Sequence, residues 1–142
     1  MPSTIQKHGI NFDEVADIDL INSFQDSLAS AANYLKTIGW IEKGIWGFEL
    51  RINKNFDNSL INSDSRNLKN KISIAQLKLL GFRNRNDSEI IHEDKKEGWL
   101  IRPDGEDGPI YIVFDNFLRL LEWNRSLRFA ITVGTLSDKI KK

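Results

Sequence analysis

Residues 115–140 constrain the fold of this chain more than any other stretch. Asp115-Asn116-Phe117-Leu118-Arg119-Leu120-Leu121-Glu122-Trp123 reads as a short helix, and Phe129 to Ile140 as a second. Asn124-Arg125-Ser126 lies between them as an Asn-x-Ser cap, because short polar side chains accept hydrogen bonds from the unpaired N–H groups of a helix start. The second helix is amphipathic, with Phe129, Val133, Leu136 and Ile140 on one face.

Upstream, the spacing predicts a short helix over 2–8, with Pro2 in its first turn, and an acidic, aperiodic loop from Asn11 to Asn22. Asn22-Ser23 can cap a longer helix that runs through Leu28, Ala29, Ala32, Tyr34, Leu35 and Ile38 and stops at Gly39. Its small residues Ala29, Ala31 and Ala32 would let a neighbouring helix approach closely. Trp46 to Ile52 alternates apolar and polar and reads as a half-buried strand. Ser73 to Phe82 reads as a helix capped by Ser73 and ended by Gly81. Gly98–Arg102 and Pro109–Phe114 form a hairpin around the turn-rich segment 103–108. Residues 53–71 and 83–97 are polar and are expected as loops. The order helix, helix, strand, helix, hairpin, helix, helix makes the fold class α+β. Trp40, Trp46, Trp99 and the phenylalanines are expected in the core, since large aromatics dominate burial in small domains.

The chain has 142 residues, enough for one domain and one core. Its 20 basic and 20 acidic residues cancel, which leaves no electrostatic footprint for nucleic acid or an anionic membrane. No apolar run approaches the ~20 residues of a membrane span. The absence of cysteine excludes disulfides, thiolate zinc sites and cysteine nucleophiles. His8 and His92 are far apart, with no second histidine or cysteine near either, so no metal site is expected from them. Met1–His8 lacks the basic and apolar regions of a signal peptide; translated from Met1, the chain is expected to stay in the cytoplasm.

Four stretches in register resemble the lytic murein transglycosylase B family. The start resembles the family's Q-F-M-P-S segment, entered at its methionine. Asp26 to Lys36 (DSLASAANYLK) is similar to its D-A-L-A-S-A-A-N-Y-L-K helix, and Gly39-Trp40 with Trp46-Gly47-Phe48-Glu49 to its G-W…W-G-x-E pattern. Gly108-Pro109 through Asn116-Phe117, then Trp123-Asn124-Arg125-Ser126, resembles its G-P-A-F…N-F…Y/W-N-R-S ending. The resemblance implies the C-terminal portion of a lysozyme-like domain: a single partial domain over 1–142, helical in 1–40 and 115–142, with a small β-containing insert over 45–114 and an antiparallel sheet.

The family cleaves the glycosidic bond after N-acetylmuramic acid with closure of a 1,6-anhydro ring, using one glutamic acid as acid and base. The resemblance puts that glutamate upstream of the Q-F-M-P-S segment, so no catalytic residue is expected in this chain, and the chain alone is expected to be inactive. Glu122 is not a substitute by resemblance, since the family usually carries a basic residue there. Trp123 and Asn124 match a substrate-binding pair in the family's sugar cleft; the competing reading makes Asn124 or Ser126 a helix cap and Trp123 core. The loop from Asn11 matches the family's calcium-binding D-x-D-x-D-G loop, with Asn11 and Asp13 as ligands, Asp17 offering its backbone carbonyl and Asp26 closing the site. Val15 and Ala16, however, stand where a third ligand and a glycine belong, so the loop is expected to be degenerate and no cofactor is expected.

The expected partners are a peptidoglycan glycan strand and an N-terminal fragment of the same enzyme, with no nucleic acid and no membrane span. Members of the family act in the periplasm or at the outer membrane. The alternatives to an inactive enzyme portion are a binding module that docks on a separately encoded half, and a decayed remnant. Lost partners for the alanine-rich face of helix 26–38 and for the last helix would favour self-association.

Overall fold

A computed structural model describes residues 2–15 and 17–141. The chain divides into two compact units, Met1–Lys43 and Gly44–Lys142.

The first unit holds two helices, α1 (Pro2–His8) and α2 (Phe24–Thr37). Ser23 caps α2 by accepting from the Asp26 N–H at 3.2 Å. The helix stops at Thr37, and Gly39 turns the chain away with φ 97°. Polar bonds tie the end of α1 and the intervening loop to α2. Asn33 donates to the His8 carbonyl, Ser30 accepts from the Ile10 N–H, and Ser27 donates to the Leu20 carbonyl. The buried residues among those described here are Asp26 and Ser30, while Phe12 and Phe24 are exposed. These two phenylalanines therefore depart from the expected core: among its described residues this unit fully buries no apolar side chain against which they could pack.

The second unit is a sheet with three helices. Its elements are β1 (Gly47–Arg51), a single 3-10 turn (Asn58–Leu60), β2 (Ile61–Asn62), β3 (Ile72–Ser73), α3 (Ile74–Leu80), β4 (Arg83–Asn84), β5 (Glu97–Ile101), β6 (Ile110–Val113), α4 (Asp115–Trp123) and α5 (Leu127–Ile140). The strand order is β2-β5-β6-β1-β4, with β3 also on β5. The expected hairpin is β5–β6, in register Leu100↔Ile112, and β1 lies antiparallel on its far side. The sheet is mixed, not antiparallel throughout, because β2 runs parallel to β5. Residues 53–71 and 83–97 also depart from the loop reading: they supply β2, β4 and the fully buried Ile90. Leu50, Ile74, Leu77, Leu100 and Ile112 form the heart of the core.

Two local signals work as read. Ser73 and Gln76 form a reciprocal capping box at the start of α3, and Gly81 ends that helix at φ 87°, a conformation that costs a glycine little. Gly134 of α5 answers to packing instead: a Cβ there would overlap the indole of Trp46. Trp46 and Trp99 are buried as expected and Trp40 is half-buried. On α5, Phe129 and Val133 are half-buried, but Leu136 and Ile140 are exposed, so the far end of its apolar face is open. Among the described residues no helix is long and apolar enough to cross a membrane.

Candidate functional site

The α4–α5 joint carries Trp123 and Asn124. Phe117, Leu120 and Leu121 bury one face of α4, and Leu127, Ala130 and Gly134 bury one face of α5. At the head of α4 the buried Asn116 donates from Nδ2 to the Gly44 carbonyl at 2.8 Å, and Phe117 stacks on Trp46 with ring centroids 6.2 Å apart. Both helices thus enter the joint from fixed positions.

Within the joint the backbone is largely satisfied by local bonds. The Asn124 N–H donates to the Leu120 carbonyl at 2.9 Å, and the Asn124 carbonyl accepts from the Ser126 N–H at 2.7 Å. Ser126, not Asn124, caps α5, accepting from the Phe129 N–H at 3.2 Å. Asn124 is extended, with φ −139° and ψ 116°. Neither cap contact uses the Asn124 side chain. Trp123 is 45% exposed and so does not take the core position that the competing reading gave it.

Two contacts from distant loops reach the same joint. The Ser65 hydroxyl donates to the Arg125 carbonyl at 2.7 Å, and Arg128 pairs with Asp104 at 2.7 Å. The loop that carries Ser65 is fixed at its base by buried Asn62, which donates to the Leu100 carbonyl and accepts from the Lys69 N–H. Sequence reasoning missed Ser65 and Asn62, since a serine and an asparagine in a polar stretch signal a loop without naming its destination. Glu122, one position before Trp123, is ion-paired with Arg119 on the same helix.

An indole and a side-chain amide, adjacent and exposed on a rigid bend, can present an apolar plate together with hydrogen-bond donors and an acceptor. That combination suits a sugar, whose ring face is apolar and whose hydroxyl and acetamido groups are polar.

The loop residues Asn11, Asp13, Asp17 and Asp26 belong to the first unit and do not converge as a ligand set. Asp17 is exposed, Asn11 half-buried, and Ala16 lies outside the described residues. Both Asp13 carboxylate oxygens are engaged: one accepts from the Val15 N–H, the other from the Ser23 hydroxyl. Asp26 accepts from the N–H groups of Phe12 at 2.7 Å, Asp19 at 3.0 Å and, more weakly, Asp13 at 3.4 Å. The Asp19 N–H foremost, with those of Phe12 and Asp13, holds the Asp26 carboxyl below the ordinary carboxylate range against the opposing effect of burial. Among the described residues no group of acidic or histidine side chains is arranged to hold a metal.

The histidines have structural settings. His8 packs edge-on against Tyr34, and His92 stacks on Phe48 with centroids 5.0 Å apart. Burial, then Lys96 and Lys78, lower the pKa of His92. An open hollow of about 560 Å³ lies beside it, lined by Lys78 and residues 89–93, without Trp123 or Asn124.

Residues 1–138 match the family model of the transglycosylase SLT domain. The chain belongs to that family. Among solved structures, this SLT domain is 32% identical to SltB3 from Pseudomonas aeruginosa in complex with NAG-NAM-pentapeptide, with a TM-score of 0.82 over 99% of this chain and 37% of that one. A second structure of SltB3, in complex with NAG-anhNAM-pentapeptide, gives 33% identity and a TM-score of 0.81 over 99% and 36%. The Escherichia coli lytic transglycosylase Slt35 in complex with calcium is 24% identical, with a TM-score of 0.70 over 97% and 41%, a likeness of fold alone. The SLT domain chain spans less than half the length of each of these proteins. Among curated proteins compared by sequence there is no match. The lytic transglycosylase B-like assignment and the α+β, lysozyme-like class both follow from these likenesses.

Proposed function

We propose that this chain forms part of the saccharide-binding wall of a peptidoglycan lytic transglycosylase, with Trp123 and Asn124 in contact with the glycan strand. The observation that carries the reading is the exposed Trp123-Asn124 pair on the rigid α4–α5 joint of an SLT domain. The two glycopeptide complexes of SltB3 support the ligand class. In this role the indole covers a pyranose face, and the amide holds hydroxyl or acetamido groups.

Cleavage of the glycosidic bond needs a carboxyl group in reach of the leaving oxygen. Glu122 is the acidic residue beside the pair, and its ion pair with Arg119 occupies it on an exposed helix face. In this reading the chain by itself binds glycan without cleaving it. Sedimentation with purified peptidoglycan should show saturable binding, while mass spectrometry of the supernatant should show no anhydromuropeptides. Failure to sediment would remove the binding reading, and abundant anhydro products would remove the inactive one. In the alternative reading, the chain complements a second polypeptide that carries the acid/base glutamate. That reading requires product to appear, with co-elution on gel filtration, when the two are mixed.

Ser65 serves as a positioning residue for this wall, acting through the Arg125 carbonyl. Ser65→Ala is expected to weaken glycan binding about threefold, in keeping with the loss of one modest hydrogen bond. Ser65→Thr, which keeps the hydroxyl, should restore it. Equal binding by wild type and the alanine variant would remove Ser65 from the site.

A further inference from the structure

We infer that the loop 10–23 of the first unit is centred on an anion, the Asp26 carboxylate, and folds around it with no need of a divalent cation. A cation-centred loop turns oxygen atoms inward, and their mutual repulsion keeps it open until the ion arrives. This loop has the opposite polarity. Its N–H groups turn inward, from Phe12 and Asp13 at its start and from Asp19 near its end, onto the two oxygens of one side chain that is fully buried. Those bonds are charge-assisted, and they tie residues near the start of the loop to one near its end.

A second set of bonds locks the carboxylate in place. The Asp26 N–H donates to the Ser23 hydroxyl oxygen, and that hydroxyl donates to Asp13 at 2.6 Å. Asp13 takes the Val15 N–H with its other oxygen. Asp19 is engaged in the same manner, accepting from the N–H groups of Ile21 and Asn22 and from the Asn22 side chain. Asp26 also sits in the first turn of α2, where the helix dipole favours a negative charge. A cation entering here would have to share these oxygens with N–H donors whose partial positive charge opposes it. The valine at position 15 offers no oxygen in exchange from its side chain.

Amide hydrogen exchange and thermal unfolding of the full chain test this directly, in EDTA and in millimolar calcium chloride. The amides of Phe12, Asp13 and Asp19 should exchange at the same rates in both buffers, and the melting temperature should not change. Asp26→Asn puts an NH2 group against an N–H donor. It is expected to speed exchange at those three amides about tenfold or more, with the sheet amides of Leu100 and Ile112 unchanged. Slower exchange or a higher melting temperature in calcium would overturn the inference, as would an Asp26→Asn variant with wild-type protection in the loop. Should Asp26→Asn fail to fold, the comparison of the wild type in the two buffers decides alone.

Discussion

Alanine at Trp46 is expected to destabilise the second unit by about 3–5 kcal/mol, a large part of the stability of any domain this size. Trp46 is 7% exposed, stacks on Phe117 of α4 and donates from Nε1 to Asp138 of α5 at 2.8 Å. It therefore joins the start of β1 to both C-terminal helices, and its loss opens a cavity and removes a tie to Asp138. Gly134 makes room for it, because a Cβ at that position would overlap the indole. Gly134→Ala alone sets a helix-propensity gain of about 1 kcal/mol against overpacking of about 1–3 kcal/mol, and should destabilise on balance. In the Trp46→Ala background the sign reverses, since the methyl group of Gly134→Ala then enters vacated space. Urea unfolding of the four corners of this cycle should show a favourable coupling of at least about 1 kcal/mol. Additivity within about 0.5 kcal/mol would mean that the two residues do not share one space.

The Trp46–Gly134 contact also marks where sequence reasoning stops. Trp46 was readable as core, but Gly134 sits in the middle of an amphipathic helix with no turn to explain it, and its reason lies 88 positions upstream, as the two residue numbers show. Signals complete within a few residues were legible. Ser73 with Gln76, Gly81 at the helix end, the β5–β6 hairpin around its turn and the Ser126 cap all depend on neighbours in the chain. Pairings that form only through tertiary structure were not. Ile61-Asn62 is too short for an alternating pattern and becomes a strand because β5 offers it an edge. Ile90 is one apolar residue in a polar run, yet it is fully buried. Phe12 and Phe24 mislead in the other direction: hydrophobicity predicts a core, but polar bonds to α2 organise their surroundings. The candidate site divides in the same way. Trp123 and Asn124 were named through the motif they share with the family, whereas Ser65 and Asp104, which brace their joint, come from loops brought there by the sheet.

Trp123→Ala is expected to weaken peptidoglycan binding about tenfold or more, equivalent to about 1.4 kcal/mol or more, in line with the weight that buried indoles carry in interfaces. Asn124→Ala should cost about fivefold to tenfold, since one amide supplies both donors and an acceptor to the same ligand. The conservative variants separate the roles. Trp123→Phe keeps an aromatic plate of smaller area and should fall between wild type and alanine. Asn124→Asp keeps the shape and the acceptor but loses the donors, so it should bind no better than Asn124→Ala if donation to an acetamido carbonyl dominates. Stability supplies the control for Asn124. The caps at the joint use its backbone and the Ser126 hydroxyl, so its side chain can change with little effect on unfolding, within about 0.5 kcal/mol. Glu122→Gln, which removes the ion pair with Arg119 but not the helix face, should bind glycan as the wild type does. Calorimetric titration with a defined muropeptide, alongside sedimentation with whole sacculi, checks all of these variants. If neither Trp123→Ala nor Asn124→Ala weakens binding, the glycan meets another surface. If both do while Ser65→Ala leaves binding intact, the wall stands and only its brace is misassigned.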